Sequence, residues 1–487
     1  MKYLLKYSPE ISIKSRPVRA RFVKQLCRNL RILLRKIDDQ ISVDSKWAYL
    51  EVNSPFESGE QKTRVDVVLA DTPGICSIAE CRHFLLDKLE NILPPVLELY
   101  SRRLQAKTFA VRCKRAGKHA FTSVDVEKFI GAGLIQQTEA SGVKLKNPDI
   151  TVRLEIREQD VFIVDQLKDG LGGYPLGTQD GVLSLISGGF DSAVSSYLAI
   201  RRGLKTHFCF FNLGGLEHEV AVKEVALYLW LRYGSTHHVK FISVPFEAVV
   251  GEIISKIDNS QMGVVLKRMM LRAASQIAED HYLEALVTGE AVAQVSSQTL
   301  PNLAVIDEVS KKLVLRPLIM SEKQDIIDLA RKIGTEEFSA VIPEYCGVIS
   351  IKPTTRARLH RIQREEGRFD FSVLDAAISA AKVSSIDQLA FDKASESAKL
   401  LELNTVPEHA VVIDIRHPNE EERAPLKLAD TEIQLIPFFK LNSAFKSGQM
   451  DTAIRYLLYC DKGMMSRLHA SYLLDSGYQN IAVYRPG

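Results

Sequence analysis

A pair of glycines between an apolar stretch and a helical stretch is the feature that most constrains how this 487-residue chain can fold. Residues 182–186 are apolar, the run Ser187-Gly188-Gly189-Phe190-Asp191-Ser192 follows, and residues 192–201 have helical spacing. Glycine lets the backbone approach an anion, serine and amide groups supply donors, and a helix N-terminus adds roughly +0.5 charge. The run lacks the Gly-Lys-Ser/Thr ending of a Walker loop. It therefore predicts a phosphate-binding loop of another kind.

The sequence after this loop alternates between strand and helix patterns. Apolar strand patterns recur at 206–212, 240–244 and 285–288, and helical patterns lie between them at 217–233 and 267–280. This alternation is typical of a parallel sheet with helices on both faces. We therefore expect a doubly wound α/β domain over residues 178–375, with its ligand at the carboxyl ends of the strands.

The loop matches the SGGxDS motif of the PP-loop ATP pyrophosphatases, which bind ATP and form substrate adenylates. Lys267-Arg268 is expected to open a helix and meet phosphates or RNA. Asp191 either positions Mg²⁺ or holds the loop. Lys323 either stabilises the α-phosphate or is a solvated lysine at a helix start. With the ends of the strands and the family resemblance taken together, the expected ATP contacts are Leu185, Ile186, Ser187, Gly188, Gly189, Asp191, Ser192, Lys267, Gly289 and Gln298.

The first 60 residues read as a strand, a basic helix over 17–37, and a second strand. One helix face carries Phe22, Leu26, Leu30 and Leu33. Five cations without an intervening acid follow the same helical spacing, so they form either a solvated face or a phosphate-facing stripe. These cations are Arg21, Lys24, Arg28, Arg31 and Arg35.

The next unit is similar to the THUMP domain of RNA-modifying enzymes. The similarity lies in the run 111–117, a strand that ends in cations and a basic turn, and in Asn147-Pro148-Asp149 before the strand 151–156. Ser123 is expected to cap a helix that reaches Gln137. Together with the basic helix, this resemblance implies a module that grips RNA by its backbone and shape.

The last unit contains a cysteine loop. Cys460 follows a strand pattern at 456–459 and precedes a helix, a position that favours the thiolate below the free pKa of about 8.5. Asp461 opposes thiolate formation unless Lys462 offsets it; a buried structural cysteine is the alternative. The run 460–467 resembles the active loop of rhodaneses, as do Asp414-Ile415-Arg416 and the terminal strand 481–484.

Cys346 lies in Pro343-Glu344-Tyr345-Cys346-Gly347, which is expected to be an exposed loop. A second thiol is needed if a persulfide is to be resolved as a disulfide. The other five cysteines occupy apolar or strand-like settings and are expected to be inert. The chain has no CxxC pair and no zinc-type spacing, so neither a disulfide framework nor a metal site is predicted.

THUMP, PP-loop and rhodanese elements in this order resemble the long form of the tRNA 4-thiouridine synthetase (tRNA sulfurtransferase) family. The resemblance covers essentially the whole chain and implies a multidomain α/β and α+β protein. The expected parts are an N-terminal ferredoxin-like domain 1–60, a THUMP domain 61–167, a PP-loop ATP pyrophosphatase domain 178–375, a linker 383–404 with one helix, and a rhodanese domain 405–487.

The family resemblance also implies a reaction. ATP with Mg²⁺ adenylates O4 of a tRNA uridine (position 8), a cysteine desulfurase loads Cys460 as a persulfide, and sulfur displaces AMP. Cys346 then attacks the persulfide and forms a disulfide with Cys460. A second implied role is sulfur supply to the thiamine thiazole through the thiocarboxylate of a sulfur-carrier protein.

Two other functions stay open. One is another PP-loop enzyme, a 2-thiouridine synthetase or an amidating ligase; the other is a non-catalytic RNA-binding protein with degenerate domains. No apolar run reaches the roughly 18 residues that span a bilayer, and residues 1–6 lack signal-peptide features. A cytoplasmic protein without membrane partners is expected.

Overall fold

The computed structural model describes residues 1–213, 215–340, 342, 352–389, 400–428, 431–448, 450–451 and 453–486. The chain divides into two compact units, Met1–Pro175 and Leu176–Gly487. Among the helices of these described ranges, none has both the length and the apolar character needed to cross a membrane.

The first unit is built on one eight-stranded sheet in the order β2-β3-β1-β4-β8-β7-β5-β6. This sheet runs across the predicted boundary at residue 60, which stays a prediction. Its strands are β1 Lys2–Tyr7, β2 Ser42–Ser45, β3 Tyr49–Asn53, β4 Ile75–Leu85, β5 Thr108–Ala116, β6 Gly142–Val143, β7 Ile150–Arg157 and β8 Asp160–Asp169. Its helices are α1 Pro9–Ser12, α2 Arg16–Leu34, α3 Gly59–Ala70, α4 Leu93–Tyr100 and α5 Ser123–Gln137.

The basic helix predicted near the N-terminus is confirmed as α2. Phe22, Leu26 and Leu30 are buried in a core shared with β1, while Leu34 is buried where Leu33 was expected. The five predicted cations are all exposed, although Arg31 also donates to the carbonyl oxygen of Val43 (2.6 Å). Helix α5 begins and ends as predicted, and Thr122 rather than Ser123 caps it through a capping box with Asp125.

The second unit begins with six described strands in the order β13-β12-β9-β10-β11-β14. The strands β9 to β13 are parallel, which confirms the predicted parallel sheet. They are β9 Gly181–Leu185, β10 Lys205–Asn212, β11 Lys240–Pro245, β12 Ala285–Val287 and β13 Leu313–Leu315; β14 Lys382–Ser385 adds an antiparallel edge beside β11. The strand β14 overlaps the start of the predicted linker 383–404, whose bounds stay a prediction.

The helices of this part pack against the strands β9 to β11, and together they enclose a large cluster of buried apolar side chains. They are α6 Phe190–Arg201, α7 Gly215–Leu229, α8 Glu247–Lys256, α9 Met262–Asp280, α10 Leu300–Asp307, α11 Lys323–Ile333, α12 Glu336–Ser339, α13 Leu359–Glu366 and α14 Phe371–Ser379. Helix α7 continues into a π-helical stretch, Trp230–Gly234.

The C-terminal part of the second unit forms its own parallel sheet, in the order β15-β19-β18-β16-β17. The strands are β15 Glu402–Leu403, β16 Val411–Asp414, β17 Ile433–Leu435, β18 Tyr456–Tyr459 and β19 Ile481–Tyr484, and the helices are α15 Pro418–Arg423, α16 Phe438–Lys446 and α17 Met464–Asp475. The predicted strand–cysteine–helix sequence is confirmed here, because β18 ends one residue before Cys460 and α17 begins four residues after it.

Candidate functional site

The two-glycine loop joins the carboxyl end of β9 to the N-terminus of α6. Gly188 has φ +85°, and a Cβ added there would lie 2.6 Å from Cδ1 of Ile342. Gly189 has an ordinary φ of −69°, and an added Cβ would meet only Oγ of Ser187, at 3.9 Å. The first glycine is thus required by the turn and by packing, whereas the second leaves open space in front of the helix N-terminus.

Ser192 holds this loop together from the first turn of α6. Its Oγ accepts hydrogen bonds from the backbone N and from Oγ of Ser187, both at 3.2 Å, and donates to the carbonyl oxygen of Gly189 at 3.0 Å. Gly289, which follows β12, packs against the same turn: an added Cβ would lie 2.6 Å from the carbonyl carbon of Asp191. The geometry of the loop therefore depends on the side chain of Ser192 and on the close approach of the Gly289 backbone.

The carboxylate of Asp191 is held from two sides. Lys323 Nζ donates to Oδ1 at 2.8 Å, and Gln294 Nε2 donates to Oδ2 at 2.7 Å. Lys323 is the first residue of α11, as predicted, and its side chain is 44% exposed. Asp191 thus links the loop to two other segments, and Lys323 is tied to the loop through it, although Lys323 is not among the residues that line the adjoining cavity.

A cavity of ≈ 260 Å³ opens at the carboxyl ends of β9, β10 and β12. Nine of the ten predicted ATP contacts line it, and the tenth, Gly188, shapes its loop. The nine are Leu185, Ile186, Ser187, Gly189, Asp191, Ser192, Lys267, Gly289 and Gln298.

Two polar side chains lie in the cavity away from the loop. Gln298 is 8% exposed, and its Oε1 has no hydrogen-bond partner in the part of the chain that the structure describes. Lys267 Nζ lies 3.9 Å from Oε1 of Glu290, whose Oε2 accepts from Arg316 Nε (2.9 Å). An unpartnered buried acceptor is costly unless a ligand donates to it; the cavity therefore suits a ligand with an N–H donor at one end and negative charge at the other.

The prediction that Lys267-Arg268 opens a helix is wrong. Helix α9 begins at Met262, five residues earlier. The sequence pattern missed this start because residues 262–266 are mostly apolar and buried on several sides, which hides the helical period. Arg268 is 1% exposed and donates to Oε1 of Glu366 (2.6 Å), so it does not meet phosphates or RNA.

The cavity is also lined by residues that were not among the predicted contacts, including His218, Glu290 and Gln294. Glu290 and Gln294 lie in the same run as the predicted Gly289 and Gln298, and the rule that ligands bind after the strands would have found them. His218 is in the first turn of α7, after β10, and its Nε2 lies 3.3 Å from the carbonyl oxygen of Ser187. Burial lowers the pKa of this imidazole.

The second candidate centre is the loop after β18. Ser466 N donates to Sγ of Cys460 (3.3 Å), and that thiol lies 3.4 Å from Oγ of Ser466, its acceptor. Gly463 supplies the left-handed turn, φ +69°, in which α17 begins. The sulfur thus lies at a helix N-terminus, as predicted.

The sequence predicted a lowered pKa for Cys460, and this prediction is wrong. Burial raises this pKa, since desolvation outweighs the opposing hydrogen bonds from Ser466 and Met465, and Asp461 adds to the rise. Cys346 and its loop, 343–347, lie outside the described residues, as do residues 390–399 of the predicted linker 383–404. No group of three or more His, Cys, Asp or Glu side chains in the described ranges could hold a metal ion.

Comparison with known proteins gives family matches and full-length relatives. Residues 177–371 match the family described as Thiamine biosynthesis protein (ThiI), and residues 87–164 match the THUMP domain. Proteins named tRNA sulfurtransferase from Colwellia psychrerythraea and Azotobacter vinelandii are each 52% identical over 486 residues, with 100% of both chains covered. The relative from Saccharophagus degradans is 51% identical over the same span.

Solved structures are also similar to this chain. A 4-thiouridine synthetase in complex with RNA and bound ATP has a TM-score of 0.69 at 26% identity, covering 79% of this chain and 99% of that one. The Pyrococcus horikoshii protein PH1313 has a TM-score of 0.53 at 18% identity, covering 69% and 100%, and shares the fold.

Proposed function

This chain belongs to the tRNA sulfurtransferase family and is a sulfurtransferase enzyme, and we propose that it converts a tRNA uridine, at position 8, into 4-thiouridine at the expense of ATP. The observation that carries the proposal is the cavity in which a two-glycine loop at a helix N-terminus faces the unpartnered Oε1 of Gln298. The proposal divides the chain into the domains 1–60, 61–167, 178–375 and 405–487.

ATP is proposed to bind with its phosphates at the loop. The amide groups around Gly189 and the N-terminus of α6 suit an anion, and Lys323, already paired with Asp191, can turn its charge to the α-phosphate. The amino group of the base can donate to Gln298. The bound ATP of the similar RNA complex supports this use of the cavity.

Mg²⁺ is proposed to arrive with ATP. Both carboxylate oxygens of Asp191 already accept from cationic or amide groups, so this arrangement favours its loop-holding role. Mg²⁺ usually keeps several waters and binds phosphates with one or two carboxylates, which fits an ion carried by the nucleotide.

In the proposed adenylation step, the two-glycine loop stabilises negative charge on the phosphates. Uracil O4 attacks the α-phosphate, the bond to the β-phosphate breaks, and pyrophosphate leaves. Sulfur then bonds to C4, and AMP leaves with the former O4. Donors fixed around the phosphates stabilise the charge that develops in the first step.

Sulfur is proposed to arrive on Cys460. The persulfide of a cysteine desulfurase passes its outer sulfur to the Cys460 thiolate. Either this terminal sulfur or the hydrosulfide freed from it attacks C4. Cys346 is proposed to attack the inner sulfur, so that a Cys346–Cys460 disulfide forms and a thiol reductant supplies the two electrons that reopen it. The loop at the N-terminus of α17 and the rhodanese-like sequence around it support this role.

RNA is proposed to bind the first unit. The exposed cations of α2 and the THUMP match at residues 87–164 support it, since phosphate contacts dominate affinity for nucleic acids. The same Cys460 persulfide is proposed to supply the thiazole of thiamine through a sulfur-carrier thiocarboxylate, which the description of the matched family supports.

The test is an assay of tRNA with ATP, cysteine and a cysteine desulfurase, read by nucleoside mass spectrometry. We expect 4-thiouridine with the native protein and none with Cys460→Ala, which keeps ATP binding. Cys346→Ala should accept the persulfide but stop after one turnover. A 2-thiolated or amidated nucleoside would point to another PP-loop enzyme, and the absence of ATP cleavage to an RNA-binding protein. Normal 4-thiouridine in tRNA from a deletion strain would also refute the proposal.

A further inference from the structure

An acidic residue stands beside the proposed sulfur carrier. Asp461 directly follows Cys460, and its charge disfavours a neighbouring thiolate or persulfide anion. Lys462 was the group expected to offset it. Lys462 Nζ donates to the carbonyl oxygen of Leu231, at 2.8 Å, and the described ion pair of Asp461 is with another residue.

Arg416 reaches Asp461 from the end of another strand. Its Nη1 donates to Asp461 Oδ1 at 3.0 Å, and the same oxygen accepts from the hydroxyl of Tyr459 at 3.0 Å. Nε and Nη2 of Arg416 donate to Asp414, at 2.9 Å and 2.6 Å. The guanidinium is therefore fixed from two sides, and it lies 5.1 Å from the ring centre of Tyr459.

This arginine is buried and permanently charged. Arg416 is 5% exposed, and its two acidic partners raise its pKa further. One of the two negative charges, Asp414, is buried with it, whereas Asp461 is at the surface of the loop. A guanidinium is a rigid fork whose several N–H donors can hold two carboxylates in a fixed geometry.

The remaining charged or titratable groups around the loop are held by other partners. Arg467 donates to both carboxylate oxygens of Glu402, at 2.7 Å each, Arg485 Nη1 lies 3.9 Å from the same carboxylate, and Glu420 Oε2 accepts from the backbone N of His417 at 3.3 Å. Among the described contacts of the loop, the ion pair with Arg416 is thus the one that neutralises Asp461.

We infer that Arg416 is a positioning residue for sulfur transfer: it neutralises Asp461 and holds its carboxylate, so that Cys460 can lose its proton to solvent and act as an anion. Removing Arg416 exposes the thiolate to the full charge of Asp461. Removing Asp461 as well takes away the negative charge that Arg416 offsets beside the thiolate, while Asp414 is left without Arg416 in both variants. The inference rests on the sulfur-carrying role proposed for Cys460, but it concerns only the ionisation of that thiol.

The test is the rate of alkylation of the Cys460 peptide by iodoacetamide between pH 6 and 10, read by mass spectrometry. We expect Arg416→Met to slow the reaction at pH 7 about tenfold, which corresponds to one pKa unit. Adding Asp461→Asn should restore the rate to within about threefold of native. Asp461→Asn alone should change it little, because Arg416 already offsets the charge.

Two outcomes would overturn the inference: an unchanged pH profile in Arg416→Met, or a loss that Asp461→Asn does not restore, as expected if Arg416 were only structural. If Arg416→Met does not fold, Arg416→Lys replaces it, and a smaller slowing that Asp461→Asn restores is expected. Sulfur loading from the desulfurase is measured separately. Absent loading with an intact alkylation cycle would refute the proposed function and leave this inference standing.

Discussion

His469 Nε2 lies 3.2 Å from Glu224 Oε1, in a buried contact between helix α17, which begins at the Cys460 loop, and helix α7, which begins at the cavity beside the two-glycine loop. His469 is fully buried and Glu224 is 5% exposed. Aromatic rings surround the contact: Phe438 lies 6.1 Å from His469 and 6.4 Å from Tyr228, between ring centres. This polar pair therefore lies in an apolar interface between the two helices, and the ring nitrogens of His469 make no hydrogen bond in the described part of the chain.

The pair should behave as a unit in mutagenesis. Glu224→Leu removes a polar group that lies 3.2 Å from His469 Nε2 but makes no hydrogen bond with it, so it should cost less than about 1 kcal/mol. Glu224→Leu/His469→Leu removes both polar groups and should be close to neutral or stabilising. The stability of both variants is measured by thermal unfolding and by hydrogen exchange of the amides of α17. Equal losses in the single and double variants would show that the pair is not coupled.

The stability that Glu224 contributes to this contact should fall as pH rises from about 4.5 to about 8. Burial raises the pKa of Glu224 to about 8, so its contribution is complete below its ordinary pKa of 4.5 and is lost as pH rises through 8. Burial lowers the pKa of His469 to about 3, so its contribution is complete above 6.5 and is lost as pH falls through 3. Of the two residues, only Glu224 changes its contribution between pH 6.5 and 8.5. Over this range the protection of α17 from hydrogen exchange should fall, once the rates are corrected for the intrinsic pH dependence of amide exchange.

The control for this pH dependence is Glu224→Gln, in which the fall should disappear. Other charged groups near the interface are Arg232, His417, Glu420, Asp461 and Lys462. Burial lowers the pKa of His417 to about 4, outside this range, while Glu420, also raised by burial, calls for Glu420→Gln as a second control. A fall that persists in Glu224→Gln would exclude Glu224 as its source.

Gly289→Ala should disable the phosphate loop. Its Cβ would lie 2.6 Å from the carbonyl carbon of Asp191 and 2.8 Å from the backbone N of Ser192, and backbone cannot move aside as a flexible side chain can. We expect ATP binding, measured by calorimetry, to weaken at least about tenfold, or roughly 1.4 kcal/mol. Gly251→Ala in α8 is the matched control, because its Cβ meets nothing within 4 Å. Equal ATP binding by the two variants would contradict the close approach.

Gln298→Met should separate binding from stability. Because Oε1 of Gln298 has no partner in the described residues, its removal should leave thermal stability unchanged or slightly higher. ATP binding should weaken about tenfold if the base donates to this oxygen. Gln294→Met is the contrasting variant, since it breaks a 2.7 Å hydrogen bond to Asp191 and should lower stability as well. Unchanged ATP binding by Gln298→Met would place the base elsewhere.

Local patterns predicted much of the fold. The strands β9, β10 and β18, the basic helix α2 and helix α5 lie where apolar spacing and turn residues indicated. Alternating apolar and polar residues report a half-buried element directly, because one face meets the core. The start of α9 was missed for the opposite reason: it is buried on several sides, so no amphipathic period marks it.

Long-range partners were the part that the patterns could not supply. A lysine beside Asp461 was the natural local candidate to offset it, yet Arg416, 45 positions earlier in the chain, is its ion-pair partner. Likewise, a position at a helix N-terminus indicates a lowered pKa for Cys460. In the folded protein the thiol is buried away from water, and this desolvation raises its pKa instead. Burial and distant charges are properties of packing and leave no local trace.

The amino-acid sequence by itself determined the strand–loop–helix around Ser187 to Ser192, the cysteine loop after β18 and their order in the chain, because hydrophobic periodicity and glycine act over a few residues. Only the tertiary structure decided which side chains meet: Lys323 and Gln294 on Asp191, Arg416 on Asp461, and Glu224 on His469. Those contacts join residues 45 to 245 positions apart. Electrostatic and hydrogen-bonding partners are set by distance in space, which the folded chain alone defines.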